Sequence, residues 1–176
     1  MSIKKMPKWL YEVIFVITIV SAIFWYQSRN MLDKGHQIAQ IQTLGQINSD
    51  LTVELKSQKL ALANSDKPTL VYFIAPWCGV CHLSIDNLQS LYSDYQNRVN
   101  LVVVALSYQS SQEVQNFVQQ HELNFPVYLG DNSVSQEFNV SGFPSYYWLD
   151  EAGTVTAKAM GYTTETELKL KHWFYF

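Results

Sequence analysis

The chain has 176 residues and a formal net charge of −3, with 48% apolar and 14% aromatic side chains. That length suits one ordinary domain with an appendage, the apolar share excludes global disorder, and the mildly acidic balance leaves no electrostatic footprint for nucleic acid. Its two cysteines, Cys78 and Cys81, are too close in sequence to staple distant parts of a fold, so they point to redox chemistry, half a metal site or a haem attachment.

Residues 1–8 carry Lys4, Lys5 and Lys8, and an apolar run follows from Trp9 to Tyr26 with Glu12 as its one charge. About eighteen residues is close to the minimum that crosses a bilayer as a helix. Trp9 and Tyr11 at one end, with Trp25 and Tyr26 at the other, fit interfacial aromatic belts, so 9–26 is expected to be a transmembrane anchor. The basic start puts 1–8 in the cytoplasm and the rest outside, against a modest counter-bias from Arg29 and Lys34. A cleaved signal peptide is the competing reading. Val20-Ser21-Ala22 could pass as a cleavage site, but Ile23-Phe24-Trp25-Tyr26 makes a poor mature start. Either form of export brings the cysteines into an oxidising compartment.

Residues 27–37 read as a tether and 38–176 as the folded domain. The stretch to residue 66 is polar and glutamine-rich, with scattered Ile38, Ile41, Leu44, Ile47, Leu51, Val53 and Leu55. It predicts one or two short strands turning at Asn48-Ser49-Asp50, then a helical turn over Leu60–Ala63 that ends near Asn64.

The signal sharpens after Lys67-Pro68. Thr69 to Ile74 is a continuous β-rich apolar run, as in a strand buried on both faces. Cys78 and Cys81 follow, and then a helical stripe of Cys81, Ile85, Leu88, Leu91, Tyr92 and Tyr95. Leu101–Leu106 predicts a second buried strand. Ser110 or Ser111 can cap a helix bearing Val114, Phe117 and Val118. Phe125–Leu129 predicts an edge-like strand, and Val134–Phe138 a short helix. Ser145–Leu149 and Val155–Met160 predict strands joined as a hairpin by Asp150-Glu151-Ala152-Gly153. Thr164-Glu165-Thr166-Glu167 is a capping box for a last helix with Leu168, Leu170, Trp173 and Phe174. The order β-α-β-α-β-α-β-β-α demands an α/β fold whose mainly parallel sheet is covered on both faces, with an antiparallel strand added by the hairpin.

A strand leading directly into C-x-x-C at a helix start has a physical logic. Cys78 lies where orphan N–H groups and the helix dipole favour a thiolate. Cys81, one turn later on the same face and partly buried, can attack a mixed disulfide on Cys78 and release the product. Cys78-Gly79-Val80-Cys81-His82 also matches the c-type haem pattern, with His82 as axial ligand. Such a site is usual in small helical domains, whereas this one follows a buried strand. Zinc needs four ligands, and His36, His121 and His172 are scattered, so no metal is assigned.

These residues resemble the thioredoxin superfamily. Ala75-Pro76-Trp77-Cys78-Gly79-Val80-Cys81 is similar to its active-site segment, and Val140-Ser141-Gly142-Phe143-Pro144-Ser145 to its cis-proline loop. The long separation of Cys78 from Pro144 leaves room for the extra strand and helix of the TlpA/ResA-like subgroup, whose members are commonly tethered outside the bacterial cytoplasmic membrane. The resemblance implies a thioredoxin-like fold with a mixed central sheet flanked by helices. It implies a cis Pro144 and a substrate-binding surface of Trp77, Phe143 and Pro144. Two positions depart from the pattern. Tyr72 stands where thioredoxins usually carry a buried Asp, and Ser84 where many TlpA/ResA-like proteins carry a Glu. Neither usual proton acceptor for Cys81 is present. Water, the Tyr72 hydroxyl or His82 is left to substitute, and Tyr72 and His82 are the candidate tuning residues.

The expected function is thiol–disulfide exchange on exported proteins. The protein would be a reductase charged by a membrane electron donor, anchored by a single pass in the cytoplasmic (inner) membrane and facing the periplasm or exterior. No cofactor and no nucleic-acid partner is expected. A binding or chaperone module with little turnover, and a c-type haem protein, are the alternatives.

Overall fold

The computed structural model describes residues 8–175. Its compact units divide between Asn30 and Met31. The first contains helix α1 (Lys8–Ser28). Trp9, Tyr11, Phe15, Ile17, Ile23 and Tyr26 are exposed along it, and Thr18 turns its hydroxyl back onto the Ile14 carbonyl at 2.8 Å. Among the described residues no helix is long and apolar enough to cross a membrane. The anchor expected over 9–26 is therefore without support among the described residues. The basic residues Lys4 and Lys5, and the side chains of Lys8 and Trp25, lie outside the described residues.

The second unit is built on a mixed sheet. Strands β1 (Gln40–Thr43), β2 (Gly45–Ile47), β3 (Val53–Glu54) and β4 (Gln58–Ala61) precede β5 (Thr69–Ile74). Helix α2 (Gly79–Tyr95), β6 (Asn100–Ala105), α3 (Ser111–Gln120), β7 (Val127–Leu129) and α4 (Asn132–Glu137) follow. Strands β8 (Ser145–Leu149) and β9 (Val155–Met160) and helix α5 (Glu165–Tyr175) complete the unit. The spatial order is β3-β2-β7-β6-β5-β8-β9, with β1 and β4 forming a separate two-stranded sheet.

Alternation along the central strands creates two cores, because successive side chains leave opposite faces of a sheet. Leu70, Tyr72 and Ile74 of β5 join Tyr146 and Trp148 of β8 beneath α2, α3 and α5. Val71 and Phe73 join Tyr147 and Leu149 on the other face, covered by Ile38, Ile41, Leu62, Val134 and Phe138. Burial on both faces explains why β5 reads as an unbroken apolar run. Met31 and Leu32, within the stretch read as a tether, are buried in this second core.

Several expectations need correction. The sheet is parallel only across β5–β6 and β6–β7. Strands β2, β3, β8 and β9 are joined antiparallel. Strand β7 is interior rather than an edge, because β2 pairs with its outer side. Leu60–Ala63 is not a helical turn. Leu60 and Ala61 belong to β4, which zips antiparallel onto β1 through Gln40–Ala61 and Ile41–Leu60. That partner lies some twenty residues upstream, beyond the reach of any local pattern. Four short strands occupy the stretch where one or two were expected. The turn at residues 48–50 is present, closed by Asn48 N donating to Thr52 O at 3.0 Å. In the 150–153 hairpin turn Gly153 has φ +79, and a Cβ there would run into the Ile38 carbonyl.

Candidate active site

Strand β5 delivers the chain into Ala75-Pro76-Trp77-Cys78 at the N-terminus of α2. Cys78 is the helix N-cap, with extended backbone (φ −81, ψ 107), and its sulfur accepts the Cys81 N–H at 3.1 Å. A thiol here fills the role that Ser or Asp usually plays at a helix start, so the orphan backbone donor is aimed at sulfur. The same geometry favours negative charge on that sulfur. Cys78 N–H in turn donates to Ala75 O at 3.0 Å, which tightens the loop.

Both cysteines are free thiols. Cys78 retains 6% exposure and Cys81 none. Burial pushes the Cys81 thiol far above its ordinary range, and its hydrogen bond to Cys78 pushes the same way against a smaller opposing effect from the Ala75 backbone. The pair is therefore asymmetric: an outer sulfur at a helix N-terminus and an inner one held protonated.

Trp77 is exposed and donates its indole N–H to the Ser107 carbonyl at 2.7 Å. Its ring meets Phe143 edge-on, with centroids 5.9 Å apart at 87°. That contact brings the cysteine loop against the loop before β8. The Phe143–Pro144 bond is cis. Phe143 packs on the core cluster that holds both cysteines, while Pro144 O accepts Gly161 N–H at 2.8 Å.

The two departures from the thioredoxin pattern touch one another. Tyr72 and Ser84 are both fully buried, with hydroxyl oxygens 3.1 Å apart. Ser84 donates to the Val80 carbonyl at 3.0 Å, so the shared hydrogen bond is donated by Tyr72. Burial pushes the Tyr72 phenol well above its usual range, and negative charge on either cysteine reinforces this against the Ser84 hydrogen bond. Tyr72 stays neutral and serves as a donor.

Behind Tyr72 lies a polar group that the sequence did not single out. Tyr146, its cross-strand partner, stacks on it with centroids 5.6 Å apart and planes at 9°. Tyr146 donates to Glu167 Oε1 at 2.7 Å and accepts from Lys171 Nζ at 2.8 Å. Thr164 caps α5 by accepting Glu167 N–H at 3.1 Å. The Glu167 carboxylate goes to Tyr146 and Lys171, so the capping box is half formed. Burial would raise the Glu167 carboxyl, but Lys171 and the Tyr146 and Thr163 hydroxyls outweigh it and hold it below the usual range.

His82 does not face solvent. Its ring lies partly buried against Phe117 of α3, and its nitrogens engage Pro76 O at 2.9 Å and His121 Nε2 at 2.7 Å. In the sequence His121 is only one of the scattered histidines, because 39 positions separate it from His82.

A model of the AhpC/TSA family matches residues 36–158. The chain is 26% identical over 174 residues to thioredoxin-like protein YneN of Bacillus subtilis (strain 168), covering 94% of this chain and 97% of that protein. It is 25% identical over 122 residues to a thiol-disulfide oxidoreductase ResA of Bacillus cereus, covering 68% and 70% respectively. Among solved structures, StoA from Bacillus subtilis shares the fold with a TM-score of 0.61 at 24% identity, over 75% of this chain and 95% of that one.

Proposed function

The chain belongs to the AhpC/TSA family, and from that premise we propose that it is a thiol–disulfide oxidoreductase working chiefly as a protein-disulfide reductase. The observation that carries this reading is the asymmetric pair: Cys78 as the helix N-cap accepting an N–H from Cys81, and Cys81 buried with its thiol held neutral.

The chemistry follows from that asymmetry. The Cys78 thiolate attacks one sulfur of a substrate disulfide. A Cys78–substrate disulfide forms, and the other substrate sulfur leaves as a thiolate that takes a proton. Cys81 then loses its proton and attacks Cys78. The Cys78–Cys81 disulfide forms, the second substrate thiolate departs, and two electrons have passed to the substrate. A dithiol donor at the membrane returns the pair to its reduced form. Trp77, Phe143 and Pro144 form the surface on which the substrate segment lies. A c-type haem is disfavoured because both ring nitrogens of His82 are already engaged.

Attachment to the cytoplasmic membrane through 9–26, with residues 38–176 on the outer side, belongs to this proposal. It is supported by the exposed apolar side chains of α1 and by the lysines at positions 4, 5 and 8. Retention in the membrane after carbonate extraction, together with activity of an export-dependent reporter fused after Phe176, is expected.

The decisive experiment traps substrates with Cys81→Ser. Mixed disulfides should accumulate on Cys78 and vanish in the Cys78→Ser/Cys81→Ser variant. Substrates that stay bound non-covalently in the double variant, with no disulfide in either, would favour a binding module over an enzyme.

A further inference from the structure

A cleft of about 240 Å³ opens between the cysteine loop and α3. Pro76 and Trp77, the two residues that lead into Cys78, contribute one wall, and Glu113, Asn116 and Gln120 of α3 contribute another. Those three positions share a helix face, because residues three and four apart are neighbours. Pockets for small molecules run to about 300–1,000 Å³, so this smaller one suits a single side chain of a bound segment. Trp77 also meets Phe143 at 5.9 Å, so the cleft and the substrate surface have that indole in common.

The chemistry of the cleft is one-sided. No Lys or Arg lines it. The Trp77 indole is 65% exposed and its N–H is taken by Ser107 O, so what it offers a ligand is its ring. Asn116 Oδ1 already accepts from Gln112 Nε2 at 3.0 Å, and the nitrogens of His82 are engaged with Pro76 O and His121. Glu113 supplies the charge. Its Oε2 accepts Gln109 N–H at 3.2 Å, and among the described residues it has no cation partner, whereas Asp33, Asp94, Glu165 and Glu167 each hold a lysine. An aromatic ring beside a carboxylate is a setting for a cation: the ring attracts through its quadrupole, and the carboxylate attracts by charge and accepts N–H bonds.

The surrounding chain does not compete for that place. Between Lys67 and Lys158 the only Lys or Arg is Arg98. Arg98 follows the C-cap of α2, whose 17 residues put the two helix ends about 25 Å apart, so it lies far from Cys78. Lys158, Lys169 and Lys171 are committed to Asp33, Asp94 and Glu167.

We propose that this cleft is a subsite for an arginine or lysine side chain flanking the disulfide cysteine of the substrate, and that Glu113 determines the preference. This rests on the reading of Cys78 as the nucleophile. The substrate segment lies over Trp77, Phe143 and Pro144. Its basic side chain runs along the Trp77 ring and brings its charged head to Glu113 Oε1. The exchange at sulfur is unchanged. The subsite adds selection: a disulfide with a basic neighbour is held at Cys78, and one with an acidic neighbour is repelled.

The test uses the full chain in detergent, in the Cys81→Ser background, at about pH 7. Three peptides carry Arg, Gln or Glu on both sides of a cysteine disulfide-bonded to thionitrobenzoate. Cys78 attacks the peptide sulfur, a Cys78–peptide disulfide forms, and thionitrobenzoate leaves as a coloured thiolate. The readout is the ratio of the Arg-peptide to the Gln-peptide rate, divided by the same ratio for free N-acetylcysteine. With Glu113 present it should be about fourfold, the size of an exposed ion pair. Glu113→Gln keeps an oxygen for Gln109 N–H but removes the charge, and should bring the ratio to about one. Glu113→Lys should make the Glu peptide faster than the Arg peptide. A ratio near one with Glu113 present, or one that Glu113→Gln leaves unmoved, would overturn the proposal. So would equal losses for all peptides, because they would reduce Glu113 to a cap for α3. Failure of every peptide to react with Cys78 would remove the nucleophile, and with it the oxidoreductase reading as well.

Discussion

Ser84→Ala should destabilise the folded unit more than Tyr72→Phe does, although serine has the smaller side chain. Both residues are fully buried and their hydroxyls meet at 3.1 Å. The Ser84 proton is committed to Val80 O at 3.0 Å, so Tyr72 is the donor of the shared bond. In Ser84→Ala the phenol proton loses its acceptor inside the core, and a buried donor left unmade costs about 1–3 kcal/mol. In Tyr72→Phe, Ser84 keeps its bond to Val80 and one ordinary hydrogen bond is lost, about 0.5–1.5 kcal/mol. The double variant leaves neither hydroxyl stranded, so its cost should fall short of the sum of the singles by about 1 kcal/mol. For a unit of this size, each kcal/mol moves the unfolding midpoint by roughly 2–4 °C. Thermal unfolding of the full chain and its three variants, followed by circular dichroism, reads the cycle directly. Additive losses, or a Tyr72→Phe loss larger than that of Ser84→Ala, would refute the assigned direction of the hydrogen bond.

Three further outcomes follow from the site. Iodoacetamide at mildly acidic pH should modify Cys78 before Cys81, since only Cys78 keeps any exposure and the Cys81 thiol is held neutral; peptide mapping showing the reverse order would exchange their roles. Because the Cys81 thiol is shifted upward, its thiolate fraction stays on the rising limb at neutral pH. Resolution of a mixed disulfide on Cys78 should therefore quicken up to about tenfold per pH unit from about pH 6 to 8.5, and a stopped-flow plateau below pH 8 would contradict this. The Glu167 carboxyl is held below its ordinary value of 4.5 in the folded state, so it contributes stability above that value and loses it as pH falls through the folded one. Glu167→Gln should lower the unfolding midpoint at neutral pH and flatten its decline below about pH 5, whereas an unchanged acid slope would show the Tyr146–Glu167–Lys171 group to be idle.

The chemistry of the site was legible in the chain because it is local. A buried β run, a turn and a helical stripe beginning at Cys78 are consecutive in sequence, and together they dictate an N-cap cysteine and a buried partner one turn on. The Asp150–Gly153 turn and the capping threonine before α5 were legible for the same reason, since their hydrogen bonds close within four residues. The family resemblance added the cis Pro144, which no local pattern marks.

What the chain could not express was pairing at long range. Whether Leu60 and Ala61 form a strand depends on β1, and whether β7 is an edge depends on β2. The same limit hid the side chains around the cysteines. Tyr72 and Ser84 were noted as missing acids, but that they satisfy each other depends on α2 lying across β5. In the sequence His82 is only a candidate tuning residue, and it meets His121 only because α3 ends against α2. Local sequence determines which backbone donors reach a sulfur, because those donors belong to the same helical turn. Only the packing of one element on another decides which buried hydroxyl, carboxylate or imidazole stands behind it, because that depends on distances between residues that no short-range pattern encodes.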